Sequence, residues 1–493
     1  MNKTKETSLS TAITGLQPTL VWKYFAEISR IPRCSKSEKA IAEYVIDTAK
    51  RLGLYARQDK FGNVVVKKSA APGYTRLKSI ALQGHLDMVC EKNADKVHDF
   101  KKDPIELVRK ENVLMANGTT LGADNGIAVA TNLAIMEDQS LEHGPLEFLF
   151  TIDEETGLTG AHNLKGDFIE SKTLLNLDSE EEGALYVGCS GGRDTIGTLK
   201  CAYEGPPRGS VPMSLQVKGL KGGHSGLEID KNRGNAIKIM NRTLQKLANA
   251  GVRLSSIKGG NKRNAIPREC EALVFIPASK SSQAHALVGE TAGEVRVELG
   301  SVDPDVTIQL LPAQGAKKAK VLKKASQQAF SSVLSSLPHG VLKMSSDIPG
   351  LVETSTNVAV IATTKRGIEI ATSQRSSVMS ELDEAVDTVS SIFELGGAKV
   401  ESTDGYPGWK PNLASPVLKL AKEVYASLYG KEPHVKAIHA GLECGIIGEK
   451  VPGIDMLSFG PTLEGVHSPD EKIYIDTVER FWNFLLAILK NMN

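Results

Sequence analysis

The sequence predicts an α/β fold interrupted by an inserted α+β domain, and three observations carry that reading. At 493 residues the chain exceeds the size at which a single core usually stops growing, so two or more domains are expected. Strand-like and helix-like runs alternate up to about Gly191, and the same texture returns after Gly405-Tyr-Pro-Gly-Trp-Lys-Pro411. Between them lies a long segment with its own order of elements. The chain therefore divides into a first part, 1–191, an insert, 192–404, and a second part of the outer domain, 405–493.

Near the start, Ile41, Tyr44, Val45, Ala49 and Leu52 recur at three- and four-residue spacing and stop at Gly53, which reads as an amphipathic helix with a glycine end signal. Strand-like runs follow at Val64 to Val66 and Ser79 to Leu82, then a helix-like stretch from Asn125 to Met136. The apolar run Leu146-Glu-Phe-Leu-Phe150 reads as a buried strand, and Leu174 to Leu177 as another. Such alternation argues for a largely buried sheet with helices laid on it. After the glycine-rich junction at Gly191-Gly192, the insert reads strand 212–218, helix 234–249, strands 252–256 and 271–276, helix 281–297 and strand 305–311. That is the split β-α-β order. A helix, two strands, a helix and a strand follow, ending near Val400, so the insert has room for a second such unit. The last section reads as a helix from Val417 to Tyr429, strands at Val435 to Ile438 and Asp455 to Phe459, and a terminal helix from Ile475.

Composition sets bounds on function. Apolar residues make up 41% and charged residues 24%, ordinary for a globular protein. Lysine plus arginine (59) balance aspartate plus glutamate (58), so the bulk charge points to neither nucleic acid nor an anionic membrane. Cys34, Cys90, Cys189, Cys201, Cys270 and Cys444 are scattered, without a Cys-x-x-Cys pair or short disulfide-type spacing, and a reducing cytoplasm fits best. The start, Met1-Asn-Lys-Thr-Lys-Glu6, lacks the apolar core of a secretory signal. The run Phe481 to Leu489 is too short to span a bilayer, which takes ~20 residues.

Chemistry gathers at the predicted strand ends. Glu154 and Glu155 follow the run ending at Phe150, and adjacent carboxylates there are costly without a cation or a proton to share. Upstream lie Gln83-Gly-His-Leu-Asp87 and Leu121-Gly-Ala-Asp-Asn-Gly126; downstream lie Asn176-Leu-Asp178 and Gly465-Val-His467. His85, Asp124, Glu155, Asp178 and His467 are nitrogen and oxygen donors of the kinds that zinc, cobalt or manganese accept. Glu154 is left over to move a proton to or from a water held near such a metal. His85 and Asp87 fall on one face of an extended segment, so the carboxylate can fix the imidazole tautomer. Asp124 taken alone reads first as a helix N-cap, and Glu180 to Glu182 read as a surface loop. His224, in Gly222-Gly-His-Ser-Gly226, could donate to the oxyanion of a tetrahedral intermediate or be a plain loop residue. Arg375 could clamp a carboxylate in bidentate fashion or be solvated.

The ordered set His85-Leu-Asp87, Gly122-Ala-Asp-Asn-Gly126, Asp153-Glu-Glu155, Asp178, Gly223-His-Ser225 and His467 resembles the co-catalytic zinc peptidases that include aminoacylase, carboxypeptidase and dipeptidase branches. The phrases Asn176-Leu-Asp-Ser-Glu-Glu181, His439-Ala-Gly-Leu-Glu-Cys-Gly445 and Gly465-Val-His-Ser-Pro469 lean towards the dipeptidase branch. The resemblance implies a zinc-exopeptidase-like α/β catalytic domain with an inserted ferredoxin-like lid that also serves dimerisation. It implies two divalent metal ions, zinc foremost, with cobalt or manganese as alternatives. Asp124 would bridge them, with His85 and Asp178 on one and Glu155 and His467 on the other. By the same resemblance Glu154 is the general base and acid, Asp87 orients His85, and His224 stabilises the oxyanion from its own chain or from another subunit's lid. Arg375 would hold the substrate's carboxylate and Glu443 would lie near its amino end. The implied activity is hydrolysis of unblocked dipeptides in the cytoplasm, Xaa-His and β-alanyl-histidine among them. Deacylation or desuccinylation of N-acyl amino acids is the alternative on the same fold.

Overall fold

The computed structural model describes residues 11–492 apart from 314, 315, 317 and 318, so the N-terminal stretch read above for a signal lies outside the described residues. The chain forms two compact units. One comprises the residues up to Gly188 together with Pro411–Ala437 and the chain from Leu442 onward; the other comprises Cys189–Lys410 and Ile438–Gly441.

The first unit is built on an eight-stranded sheet in the order Tyr55–Gln58, Val64–Lys68, Leu146–Thr151, Ile80–His85, Thr173–Asn176, Asp455–Ser458, Ala184–Cys189 and His434–Ile438. Its centre is parallel: Ile80–His85 lies between Leu146–Thr151 and Thr173–Asn176, with His85 opposite Thr151 and Gln83 opposite Asn176. Every residue of these three strands is buried, as a parallel sheet covered on both faces requires. Their carboxyl ends therefore finish side by side, the usual place for a site in an open α/β sheet.

Helix Ala123–Glu137 packs on strand Ile80–His85 and on helix Thr19–Ile28. Its sequence, Gly-Ile-Ala-Val-Ala-Thr-Asn-Leu-Ala-Ile-Met from Gly126, is small or apolar around the whole circumference, and those residues are buried. Asp124 and Asn125 have non-helical φ/ψ, so the regular helix begins next to the expected Asn125. Helix Thr19–Ile28 carries no end signal that the sequence reading used. It is tied in by Glu137, which accepts from Tyr24 Oη at 2.5 Å, Arg51 Nη2 at 2.8 Å and Lys23 Nζ at 3.0 Å.

The run Phe481 to Leu489 is the inner face of helix Ile475–Asn491, where Val478, Phe481, Trp482, Leu485, Ile488 and Leu489 are buried at helical spacing. No helix among the described residues is long and apolar enough to cross a membrane. One expectation from the cysteine spacing needs correction. Cys34 and Cys90, 56 residues apart, form a disulfide with their Cα atoms 5.7 Å apart. The backbone brings the two segments together, since Met88 N donates to Arg33 O at 3.1 Å. Sequence separation of that size gives no pairing signal.

The second unit carries a nine-stranded sheet. Its main path runs Thr307–Pro312, Ser210–Lys218, Cys270–Pro277, Arg253–Gly259, Val352–Thr363, Ile368–Ser376, Gly191–Leu199 and Ala398–Ser402, with Gly340–Met344 paired beside Val352–Thr363. Its first four strands and helices Ala236–Ala248 and Ser281–Leu299 follow β-α-β-β-α-β in chain order, and they sit in the sheet as fourth, first, third, second. Strand Gly191–Leu199, helix Lys324–Ser336, strands Val352–Thr363 and Ile368–Ser376, helix Met379–Leu395 and strand Ala398–Ser402 repeat that order and that arrangement. Two ferredoxin-like sets thus join edge to edge through Arg253–Gly259 and Val352–Thr363, one set inserted into the other after its first strand.

Gly191-Gly192, read as a junction, is instead the start of that first strand. A Cβ at Gly191 would stand 2.5 Å from Gly408 N and 2.6 Å from Tyr406 O, so only glycine allows the close pairing there. The glycines that permit the contact also remove the alternation by which a strand is recognised.

Candidate active site

The first unit gathers eight of the candidate residues. The Asp124 carboxylate stands between two imidazoles: Oδ1 is 3.1 Å from His85 Nε2, and Oδ2 is 3.1 Å from His467 Nε2. Each histidine meets a second carboxylate, Asp178 Oδ1 at 3.4 Å from His85 Nε2 and Glu155 Oε2 at 2.9 Å from His467 Nε2. The result is two three-donor sets that share one aspartate. His85 comes from the end of strand Ile80–His85, Asp178 from just beyond Thr173–Asn176, and Glu155 from a short helix after Leu146–Thr151. His467 arrives from a C-terminal loop at φ 62°, a left-handed conformation uncommon for a non-glycine residue.

Asp124 is not a cap. Its side chain makes no capping bond to its helix, and its φ of −78° and ψ of 111° turn it out of the helical path towards the histidines. The peptide bond to Asn125 is cis. Asn125 Oδ1 accepts from His85 N at 3.2 Å while its Nδ2 donates to Leu177 O at 2.9 Å, linking the two strand ends that carry His85 and Asp178.

Asp87 is fully buried beneath the site. Its Oδ1 lies 3.3 Å from His85 Nδ1, so His85 keeps Nε2 for the shared donor set. The same carboxylate accepts from the backbone N–H groups of Glu154 (3.1 Å) and Glu155 (3.3 Å) and from Ser35 Oγ (2.8 Å). Burial alone would raise its pKa, but its bonds to His85 and these donors hold it at about 2. Asp87 therefore orients the histidine and fixes the Glu154–Glu155 turn.

Charge in the cluster is unbalanced. Burial opposes the charged form of His85, yet Asp178, Asp124 and Asp87 outweigh it and raise the pKa well above the ordinary value. Hydrogen bonds to Asp124 and Glu155 push His467 up to about 11. Asp178 rises to about 6, chiefly through burial. Donors that draw protons so strongly are donors for which cations and protons compete. Among the described residues, buried Glu155 Oε1 and Asp178 Oδ1 have no hydrogen-bond partner beyond the 3.4 Å contact of Asp178 with His85, which leaves acceptor capacity that a cation could use. Oxygen and imidazole donors in this number fit divalent zinc, cobalt or manganese alike.

Glu154 makes no side-chain hydrogen bond or ion pair to either donor set among the described residues. Burial raises its pKa well above the usual carboxylate value, with Asp178, Glu443 and Glu155 adding to the rise and His85 opposing it. Glu443, at the start of helix Glu443–Lys450, is fully buried; its Oε2 accepts from Gln83 Nε2 and Thr151 Oγ1, both at 2.6 Å, and its Oε1 has no partner among the described residues. Burial pushes its pKa up to about 7. Gln83 in turn accepts from Asn176 Nδ2 at 2.5 Å, so a polar chain crosses the ends of the parallel strands. The glutamates read as a solvated loop are only partly so. Glu181 accepts from Lys436 Nζ at 2.7 Å and Glu182 from Tyr425 Oη at 2.7 Å.

His224 and Arg375 belong to the second unit. His224 Nδ1 accepts from the backbone N–H groups of Gly226 (3.2 Å) and Leu227 (3.1 Å), which leaves the proton of the neutral ring on Nε2. Burial, with Arg375 adding, lowers its pKa to about 4. At neutral pH it is an uncharged donor through Nε2. Arg375, in strand Ile368–Ser376, is buried; Nη1 donates to Tyr406 Oη at 2.8 Å and Nε has no partner among the described residues. His439 Nε2 pairs with Ser355 Oγ at 2.7 Å.

Sequence reading missed Arg33, Gln83, Thr151, Ser355, His439 and Glu471. Gln83 and Thr151 lie just before recognised motifs, whereas Arg33 is far from any of them, and none of the three stands in a pattern with a chemical meaning of its own. Glu471 follows His467 by four residues, and its position in the loop was the only available signal.

A shared aspartate between two histidine–carboxylate sets, at the carboxyl ends of a parallel sheet, defines a co-catalytic hydrolase type of centre. The chain belongs to peptidase family M20/M25/M40, whose family model matches residues 81–491. It is 42% identical over 481 residues to the cytosol non-specific dipeptidase of Escherichia coli strain K12, covering 97% of this chain and 99% of that one. The crystal structure of aminoacylhistidine dipeptidase from Vibrio alginolyticus superposes with a TM-score of 0.90 at 41% identity, over 98% of both chains. Aminopeptidase PepT from Bacillus cereus, at 16% identity and a TM-score of 0.56 over 96% of this chain and 98% of that one, shares the fold.

Proposed function

We propose that this chain is a two-metal dipeptidase that hydrolyses the peptide bond of unblocked dipeptides in the cytosol. The observation that carries the reading is Asp124, whose two oxygens each stand 3.1 Å from a histidine that also meets a second carboxylate. His85 and Asp178 would hold one cation, Glu155 and His467 the other, with Asp124 between them. Bound there, two divalent ions supply Lewis acidity to the scissile carbonyl and to the attacking water. Zinc, cobalt and manganese all fit the donors.

Glu154 is a carboxylate that belongs to neither donor set, and its electrostatic neighbours His85, Asp178 and Glu155 are drawn from both. It takes the proton of the attacking water as the carbon–oxygen bond forms, and returns it to the amide nitrogen as the carbon–nitrogen bond breaks. The neutral Nε2–H of His224, from its own or a neighbouring chain, donates to the tetrahedral oxyanion. Arg375 holds the substrate's carboxylate, and the free Oε1 of Glu443 receives its ammonium group. Likeness over nearly the whole chain to two dipeptidases favours dipeptides over N-acyl amino acids. The second unit, with its two ferredoxin-like sets, would serve as the lid and as the surface of a homodimer.

Chelated protein, assayed before and after zinc, cobalt or manganese is restored, is tested on a panel containing alanyl-histidine and β-alanyl-histidine beside N-acetyl and N-succinyl amino acids. Metal-dependent cleavage of free dipeptides is expected. Cleavage of the N-acyl substrates alone would replace this reading with deacylation.

A further inference from the structure

Glycines flank Asp124 on both sides, and its helix lacks a cap of its own; both facts trace to two buried residues outside every motif. Glu471 is 2% exposed, and its two oxygens accept four consecutive backbone N–H groups. Oε2 takes those of Leu121 (2.8 Å) and Gly122 (2.9 Å), and Oε1 those of Ala123 (2.7 Å) and Asp124 (3.2 Å). These include donors that the first turn of a 15-residue helix leaves without intrahelical partners. The cap of helix Ala123–Glu137 thus comes from a carboxylate about 350 residues further along the chain.

Arg33 grips the same loop from its carbonyl side. Its Nη2 donates to Gly122 O, and Nη1 donates to Asp87 O at 2.9 Å and Leu86 O at 3.2 Å. A Cβ at Gly122 would stand 2.6 Å from Arg33 Nη2, and one at Gly126 2.5 Å from it. The glycines are therefore the space that the guanidinium occupies. Residue Gly122 is held through its N–H by Glu471 and through its C=O by Arg33.

We propose that Glu471 and Arg33 are positioning residues that set the separation of the donors around Asp124, and hence the metal affinity of the centre. This rests on the two-metal reading above. Glu471 lies in the His467 loop and is bonded to the Asp124 loop, so one carboxylate fixes both donors to each other. Arg33 links the Asp124 loop to the segment that carries His85 and Asp87. Only an ionised carboxylate offers lone pairs to four N–H donors. A glutamine would turn an NH2 group against two of them.

The test is metal affinity, read by competition with a chromogenic chelator on the full chain, together with the apo-protein melting temperature. Glu471→Gln is expected to lose roughly 10–100-fold in affinity, the usual effect of removing a partner that orients ligands. Turnover at limiting metal should fall with it and recover at excess metal, with KM unchanged. Glu471→Asp, which keeps the acceptors but withdraws them by one methylene, should lie between Glu471→Gln and wild type, and carries the test if Glu471→Gln does not fold. Wild-type affinity in a folded variant, with only the apo melting temperature lowered, would assign Glu471 to stability alone and overturn the proposal. A wild-type protein that binds no divalent metal would instead sink the two-metal reading itself.

Discussion

At the scale of single residues, the division of labour between Glu154 and Glu155 is the sharpest claim. Both backbone N–H groups are fixed by Asp87, yet only Glu155 reaches a histidine. Glu154→Gln should therefore keep its metals by elemental analysis while kcat falls by roughly 10²–10⁴-fold, the range for losing a positioned acid–base group. Retained turnover in a metal-loaded variant would remove Glu154 from the mechanism. His224 is argued from its tautomer. With Nδ1 engaged by two backbone donors and a pKa near 4, it stays neutral through the physiological range. His224→Ala should lower kcat by roughly 10²–10³-fold, as for an oxyanion donor, with a smaller change in KM; an effect on KM alone would make it a binding residue.

Metal-ligand candidates were legible because histidine and acidic residues at strand ends need a reason to be there. Arg33 and Glu471 were not, because their task is to hold backbone atoms, and a backbone contact leaves no mark in residue type. The alternative reading of Asp124 as a cap failed for the same reason: a cap was needed, but it came from the far end of the sequence.

Among elements, long periodic helices were read within a few residues, as with Lys39–Arg51, Ala236–Ala248 and Ser281–Leu299. Missed elements had weak patterns, strand Gly191–Leu199 through its glycines and helix Thr19–Ile28 through the absence of end signals. That helix offers a test. Glu137 accepts from Tyr24, Arg51 and Lys23, and the bonds from Tyr24 and Arg51 lower its pKa to about 2. Its folded pKa thus lies below the ordinary 4.5, so its stabilisation is present above pH 4.5 and lost as pH falls towards 2. Glu137→Gln should flatten the loss of stability in that window by on the order of 2 kcal/mol, measured by urea unfolding at a series of pH values. An unchanged acid limb would mean that the contact is solvent-screened.

The disulfide is a second element-scale feature. It joins the segment bearing Arg33 and Ser35 to the one bearing Asp87, across a sequence separation of 56 residues. Loop-closure entropy for such a loop is about 4 kcal/mol. Cys34→Ser, or incubation with a dithiol, should lower the melting temperature by several degrees, and equal melting curves with and without reductant would show that the bond is not formed in solution.

For the whole molecule, sequence length and the return of α/β texture after the insert made an interrupted outer domain readable. The doubled ferredoxin-like sheet was only half readable, because inserting one set inside the other separates Gly191–Leu199 from its partner strands by more than 150 residues. Local periodicity reports elements, whereas pairing at that distance is a tertiary fact. How many cations this architecture holds depends on three parallel strands ending together and on a C-terminal loop reaching back to them, because both donor sets are built from that convergence.

The most direct test is the number of divalent ions bound per chain at full dipeptide turnover, measured for wild type, Asp178→Asn and Asp124→Asn. Two ions are expected for wild type, one tightly held ion for Asp178→Asn, and weakened binding of both for Asp124→Asn. Full turnover with a single ion per chain, or loss of only one ion in Asp124→Asn, would contradict the two-metal reading.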